Sequence, residues 1–144
     1  MPDFEPDLVP ELLVSRIRVS LDFWCGLCGF DVAYERPDEG FAYIVRGTAR
    51  LMLEERGVGR NWLTGELIRP FGRGINFQMN VPEIAPIVEA LRHAGVALFM
   101  EPETTKWYRV SDPEEAGVRQ FLVTDPDGYL IRFQSSIGRR ELAD

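Results

Sequence analysis

The stretch VSRIRVSLDFWCGLCG, Val14–Gly29, decides the fold because it returns in altered form as VPEIAPIVEALRHAG, Val81–Gly95. Val14, Ile17, Leu21, Trp24 and Gly29 answer to Val81, Ile84, Val88, Leu91 and Gly95 at an offset of about 67 residues, which marks an internal repeat. Each copy reads as a strand end, an amphipathic helix and a glycine stop. Two copies fill 144 residues, close to the commonest domain size and enough to bury roughly two-thirds of the unfolded surface.

Outward from the first copy, a strand is predicted at Pro10 to Val14. A helix follows over about residues 16 to 28, with Ser15 as N-cap, an apolar stripe at 17, 21, 24 and 28, and Gly29 as the C-terminal stop. Three short strands come next, Asp31 to Glu35, Phe41 to Arg46 and Arg50 to Glu54, punctuated by Pro37-Asp38-Glu39-Gly40 and by Gly47. The glycine-rich piece from Arg56 to Gly74, carrying Trp62 and Pro70, reads as the connection between copies. The second copy repeats the order: strand Ile75 to Val81, helix from about Glu83 to His93, strand Ala97 to Met100, then a loop. A closing hairpin pairs Phe121 to Thr124 with Tyr129 to Phe133 across Asp125-Pro126-Asp127-Gly128, where Pro sets one turn dihedral and Gly accepts a positive one. The expected organisation is one domain over 1–144: a first βαβββ module at 8–56, a connecting loop at 57–73 and a second βαβββ module at 74–136.

Composition limits the functional classes. Hydrophobic residues make up 45% and charged residues 27%, and no apolar run approaches the ~20 residues that cross a bilayer. The opening MPDFEPDLVP has three acids and no basic cluster ahead of an apolar stretch, so export is not expected and the cytoplasm is the default compartment. The formal charge of −7 disfavours nucleic-acid partners and favours neutral or cationic ligands.

Cys25 and Cys28 form a C-x-x-C spacing, but a dithiol redox motif needs a helix starting at its first cysteine. Here the pair falls in the last turn of the predicted helix, Cys28 on its buried stripe as a small hydrophobe and Cys25 beside it. One such pair and a single His do not close a tetrahedral zinc shell. His93 falls about 180° around its helix from Ile84, on the solvent side, which also disfavours Ser-His-Asp or Cys-His nucleophilic chemistry.

VSxxxxSLDFW followed by CGF, together with the DPDGYLIRF ending inside a doubled βαβββ plan, resembles the glyoxalase, bleomycin-resistance and extradiol-dioxygenase superfamily, the vicinal oxygen chelate fold. The resemblance covers nearly the whole chain, and the FGRGINF and KWYR stretches make it most similar to the bleomycin-resistance proteins. It implies an α+β fold in which the strands of two βαβββ modules curve into a cup-shaped mixed sheet, with side chains alternating between cup and helices. With Leu12 and Val14 facing the first helix, Val9, Glu11 and Leu13 fall to the cup; with Leu51 and Leu53 facing back, Arg50, Met52 and Glu54 fall there too. In the second module Asn76, Gln78 and Asn80 alternate with Phe77, Met79 and Val81, and Leu130 and Arg132 alternate with Ile131 and Phe133.

Metal enzymes of the superfamily carry four His or carboxylate ligands on these strands, and the matching positions here are Val9, Met52, Asn76 and Arg132. Valine has no donor, a thioether is too soft for hard divalent ions, and a guanidinium repels them. No cofactor or metal is therefore expected, and Arg132 reads as a replacement charge pairing with Glu54 or Glu11. The remaining candidates suit recognition: Phe41, Tyr43, Trp62, Trp107 and Tyr108, on strands or in loops, offer faces for planar or cationic groups. Phe41 leans to the pocket, and several of the others have a bland counterpart. Tyr43 is equally at home in a core, Met52 in packing, the two tryptophans at a subunit interface, and Asn76 and Gln78 can satisfy each other. Three side-chain amides at alternate positions of one strand nevertheless suit a wet cavity better than a dry core.

The ligand-binding set is thus Phe41, Tyr43, Met52, Glu54, Trp62, Asn76, Gln78, Trp107, Tyr108 and Arg132. The resemblance implies a homodimer that sequesters a basic aromatic small molecule such as a bleomycin-type antibiotic without modifying it, conferring resistance, with Pro6 and Pro10 in an arm that crosses to the partner. Glu11, Glu54 and the Pro37-Asp38-Glu39 loop are the candidate cation attractors. Two alternatives stay open: a metal-dependent lyase, isomerase or dioxygenase of the same superfamily with atypical ligands such as Glu11 and Glu54, and a dimeric interaction module.

Overall fold

A computed structural model describes residues 5–59 and 61–142, with the backbone alone at 103–105. The chain up to Arg73 together with Asp125–Tyr129 forms one compact unit, and Gly74–Thr124 together with the chain from Leu130 onward forms another.

In the first unit the order is β1 (Glu11–Val14), α1 (Ile17–Trp24), β2 (Asp31–Arg36), β3 (Phe41–Arg46) and β4 (Ala49–Glu55). The sheet runs β1-β4-β3-β2, with β1 parallel to β4 and the other pairs antiparallel. Period-two alternation sends Val14, Ala42, Ile44, Leu51 and Leu53 to one face, where each is at most 1% exposed. Leu21 and Trp24 of α1 are buried with them, at roughly 1.5–3 kcal/mol for each large apolar side chain removed from water. Trp24 meets Phe23 and Phe30 edge-on at 5.6 and 5.3 Å, the arrangement that ring quadrupoles favour.

Two expectations about α1 are corrected. Ser15 is not its cap: the N-cap position is Arg16, the Ser15 N–H donates to Asp127 Oδ2 at 2.9 Å, and the Ile17 N–H donates to Glu55 Oε1 at 2.9 Å. A carboxylate from β4 thus does the work of a local cap. The helix also ends at Trp24 rather than Cys28. Beyond it the Gly26 and Cys28 N–H groups donate to the carbonyls of Leu21 and Phe23, five residues back, at 3.3 and 3.1 Å, so the backbone widens into a turn. Gly29, at φ +78°, is the stop.

The second unit has β5 (Asn76–Asn80), α2 (Ala85–His93), β6 (Met100–Arg109), β7 (Glu114–Thr124) and β8 (Leu130–Glu141). Its sheet, β5-β8-β7-β6, repeats the first in strand order and in its single parallel pair. The sequence repeat is therefore a repeat of topology, and the chain is an α+β protein of two βαβββ modules. Ile87, Val88 and Leu91 of α2 are buried, as are Met79, Phe121, Val123, Ile131 and Phe133, the Phe121 and Phe133 rings stacking at 5.5 Å.

The predicted strand at Ala97 to Met100 and the loop after it are corrected as well. The Gly95 and Val96 N–H groups bond back to Arg92 and Leu91 of α2, which holds the chain at the helix end. Pairing with β7 opens at Phe99, whose N–H donates to the Leu122 carbonyl at 2.8 Å, and β6 then runs on to Arg109. The final hairpin extends well past its predicted ends, to Glu114 and Glu141. His93 is exposed at the end of α2.

Candidate functional site

The face of the first sheet opposite α1 is built from two cross-strand ranks. Register places Glu11, Met52, Tyr43 and Tyr34 side by side, and next to them Leu13, Glu54, Phe41 and Arg36. Because residues two apart share a face, each rank reinforces its neighbour. Tyr34 and Tyr43 stack at 5.0 Å with 11° between ring planes, and the Arg36 guanidinium lies 3.9 Å from the Phe41 ring centroid.

At the end of this face opens a cavity of about 330 Å³, lined by Glu11, Arg36, Glu39, Phe41, Glu54 and Gly59. Arg36 is ion-paired to Glu39. Glu54, only 8% exposed, accepts from Asn61 Nδ2 at 3.2 Å, and the Asn61 side-chain Oδ1 accepts from the Gly57 N–H. Gly59 permits this closeness, since a Cβ there would come within 3.0 Å of both Glu54 Oε1 and the Glu39 carbonyl oxygen. Among the described residues that line it, three carboxylates share the cavity with the Arg36 guanidinium and an aromatic floor, an arrangement that attracts cations.

The other first-unit candidates lie around this cavity or away from it. Tyr43 is buried, and its hydroxyl has no hydrogen-bond partner among the described residues. Burial, with Glu5 adding and Arg50 opposing, pushes its phenol above the ordinary range. Met52 is half-buried, and Trp62 stands 71% exposed in the loop after β4.

In the second unit the candidates form a polar ladder. Arg132 Nη2 donates to Gln78 Oε1 at 2.8 Å, and Gln134 Nε2 donates to Asn80 Oδ1 at 2.9 Å. Gln120 Nε2 donates to the Tyr108 hydroxyl at 2.7 Å, and Asn76 is exposed at the start of β5. Arg132, expected to pair with Glu54 or Glu11, is held by an amide of its own sheet. Trp107 and Tyr108 are strand residues of β6. Trp107 is half-buried under Arg140, whose guanidinium is 3.8 Å from its ring and is ion-paired to Glu115.

The structure therefore brings Phe41 and Glu54 into one cavity and bonds Gln78 to Arg132. Arg36 and Gly59 also line the cavity and stand outside the set expected from sequence. The role of Arg36 depends on its cross-strand register with Phe41, which the folded hairpin around the short Pro37–Glu39 turn supplies, and Gly59 carries no signal in the sequence.

The donors at the metal-enzyme positions are poor ones. Val9 offers none, Met52 a thioether, Asn76 a neutral amide and Arg132 a cation already engaged with Gln78, a set that does not fit a hard divalent ion. Among the described residues no group of three or more His, Cys, Asp or Glu is placed to hold a metal. Cys28 is buried and burial pushes its thiol far above the ordinary range. Half-buried Cys25 is raised too, by burial and then by Asp31. Neither forms a ready thiolate.

One further ionisable group is unusual. Asp125, 4% exposed, has its carboxyl pushed up to about 6, chiefly by burial and further by Asp127; hydrogen bonds from the Tyr129 and Asp127 N–H groups oppose the shift. Its Oδ1 accepts from the Asp127 and Tyr129 N–H groups at 3.0 and 2.9 Å, which fixes the turn.

Doubled βαβββ topology with these turn motifs defines a class, and comparison with known proteins identifies the family. The profile of the Glyoxalase/Bleomycin resistance protein/Dioxygenase superfamily matches residues 8–133, and the chain belongs to that superfamily. No curated protein matches it. Among solved structures it is similar to TioX from Micromonospora sp. ML1, at 17% identity over 92% of this chain and 100% of that one, with a TM-score of 0.68. It is also similar to virulence protein STM3117 from Salmonella typhimurium, at 16% identity over 93% and 98% of the two chains, with a TM-score of 0.65. A superfamily member from Vibrio splendidus 12B01 shares 36% identity over 88% of this chain and 95% of its own, with a TM-score of 0.40. Among the described residues no helix is long and apolar enough to cross a membrane.

Proposed function

We propose that this protein binds and sequesters a basic aromatic small molecule of the bleomycin type without transforming it, as a cytoplasmic homodimer that confers resistance. The observation that carries this reading is the cavity in the first unit, where Glu11, Glu39 and Glu54 surround Phe41 and Arg36. Its volume of about 330 Å³ is at the small end of ligand pockets, a size for one charged aromatic substituent of a larger molecule. Carboxylates in a confined cleft act on a cation more strongly than the same charges on an open surface, and the overall charge of −7 steers in the same direction. The amide ladder of Gln78, Asn80 and Gln134 with Arg132 supplies neutral donors and acceptors suited to a peptide-like ligand.

The test is a titration with copper-loaded bleomycin followed by tryptophan fluorescence. Saturable quenching is the expected result, and none at all removes this ligand. The alternative, an enzyme with atypical metal ligands, draws on the presence of Glu11 and Glu54 in the same cavity. Elemental analysis of protein purified without chelator decides between them, since a stoichiometric divalent metal replaces capture with catalysis.

A further inference from the structure

We infer that Arg36 is a built-in stand-in for the ligand, and that the group this cavity recognises is a planar, delocalised cation such as an amidinium or guanidinium. The inference rests on the capture reading and narrows it to one chemical group and one controlling residue.

Three observations place Arg36 in that role. Its guanidinium lies 3.9 Å from the Phe41 centroid and 5.9 Å from that of Tyr34, it is ion-paired to Glu39, and it lines the same cavity as Glu11 and Glu54. A flat cation is thus seen with an aromatic face beneath it and a carboxylate at its edge, the two contacts that bind such groups elsewhere. A tetrahedral ammonium makes the charge contact but not the flat one. The stand-in is also free to leave. Arg36 sits at the end of β2, an edge strand whose residues are mostly exposed, and its side chain is 50% exposed, so swinging it out uncovers Phe41, which is otherwise 5% exposed. Glu54, by contrast, is tethered by Asn61 and stays in the cavity as the fixed counter-charge. An entering cation therefore competes with Arg36 for Phe41 and Glu39 and gains Glu54 as well.

The experiment measures binding of benzamidinium, benzylammonium and neutral benzamide by calorimetry to the full chain, to Arg36→Met and to Arg18→Met, the last removing one exposed positive charge from α1 as a control. Arg36→Met is expected to bind benzamidinium about fivefold more tightly than the unaltered protein, the size of effect expected when a half-exposed stack and ion pair stop competing. Arg18→Met is expected to change little, benzylammonium to gain less than benzamidinium, and benzamide to gain nothing. Equal benzamidinium affinity in the unaltered protein and Arg36→Met overturns the inference, as does an equal gain in Arg18→Met or for benzylammonium. Copper-loaded bleomycin is titrated into the same proteins. If it binds while benzamidinium shows no gain, capture stands and the role of Arg36 falls; if nothing cationic saturates any of the proteins, both fall.

Discussion

Glu55, on the last residue of β4, accepts the Ile17 backbone N–H at 2.9 Å across a separation of 38 residues. The start of α1 is therefore completed by tertiary structure, not by its own sequence, since the N-cap residue makes no side-chain cap hydrogen bond and the first turn holds no acidic residue. Glu55→Ala is expected to lower stability by about 1 kcal/mol, the usual size of a lost cap, and Glu55→Gln, which keeps an acceptor oxygen, by less. Urea denaturation monitored by circular dichroism checks both.

Asp125 makes stability depend on pH in an unusual direction. Its folded-state value, about 6, lies above the ordinary 3.8, so the folded protein holds a proton that the unfolded chain has released. Its contribution is full below about pH 4 and is lost as pH rises through 6. A shift of about two units corresponds to roughly 3 kcal/mol. Asp125→Asn, measured by denaturation at pH 4 and pH 7, is expected to gain on the unaltered protein by up to that amount between the two. Parallel pH profiles would refute the assignment.

Gly26 is the hinge of the wide turn that ends α1. A Cβ there would stand 2.3 Å from the Asp22 carbonyl oxygen, a backbone atom with no side-chain freedom to give way. Gly26→Ala is expected to destabilise the protein by roughly 1–3 kcal/mol, despite alanine's better helix propensity. A thermal melt showing no loss would mean that this turn relaxes freely.

These positions also show what the sequence could reveal. The alternation of Leu51 and Leu53 with Met52 and Glu54, and of Met79 and Val81 with Gln78 and Asn80, carried the sheet phases, because a strand packed against a helix must present one apolar face. The length of β6 was hidden by Pro102 and by the charges around it. Proline is tolerated on an edge strand, and the β6 pairing is irregular between Met100 and Lys106. The end of α1 is not legible in the sequence because Cys28 continues the apolar stripe while the hydrogen bonds no longer follow a helix. In the cavity, Phe41 and Glu54 were visible as an aromatic and a carboxylate two strands deep in polar company. Arg36 was not, because its role depends on a cross-strand register that only the folded hairpin supplies.

Within the cavity, Glu54→Gln and Phe41→Leu separate charge from stacking. Each is expected to weaken binding of copper-loaded bleomycin about fivefold or more, through a buried carboxylate lost in one case and a cation–π face in the other. Glu54→Gln is further expected to reduce the salt dependence of binding, and Phe41→Leu to leave it unchanged. Equal affinities for both variants and the unaltered protein would move the ligand elsewhere on the molecule.

Capture without transformation is tested most directly by calorimetric titration with copper-loaded bleomycin, followed by mass spectrometry of the ligand released on denaturation. The expected result is saturable binding at a fixed stoichiometry and recovery of the drug at its original mass. Absence of saturable heat, or recovery of an altered drug, would contradict it.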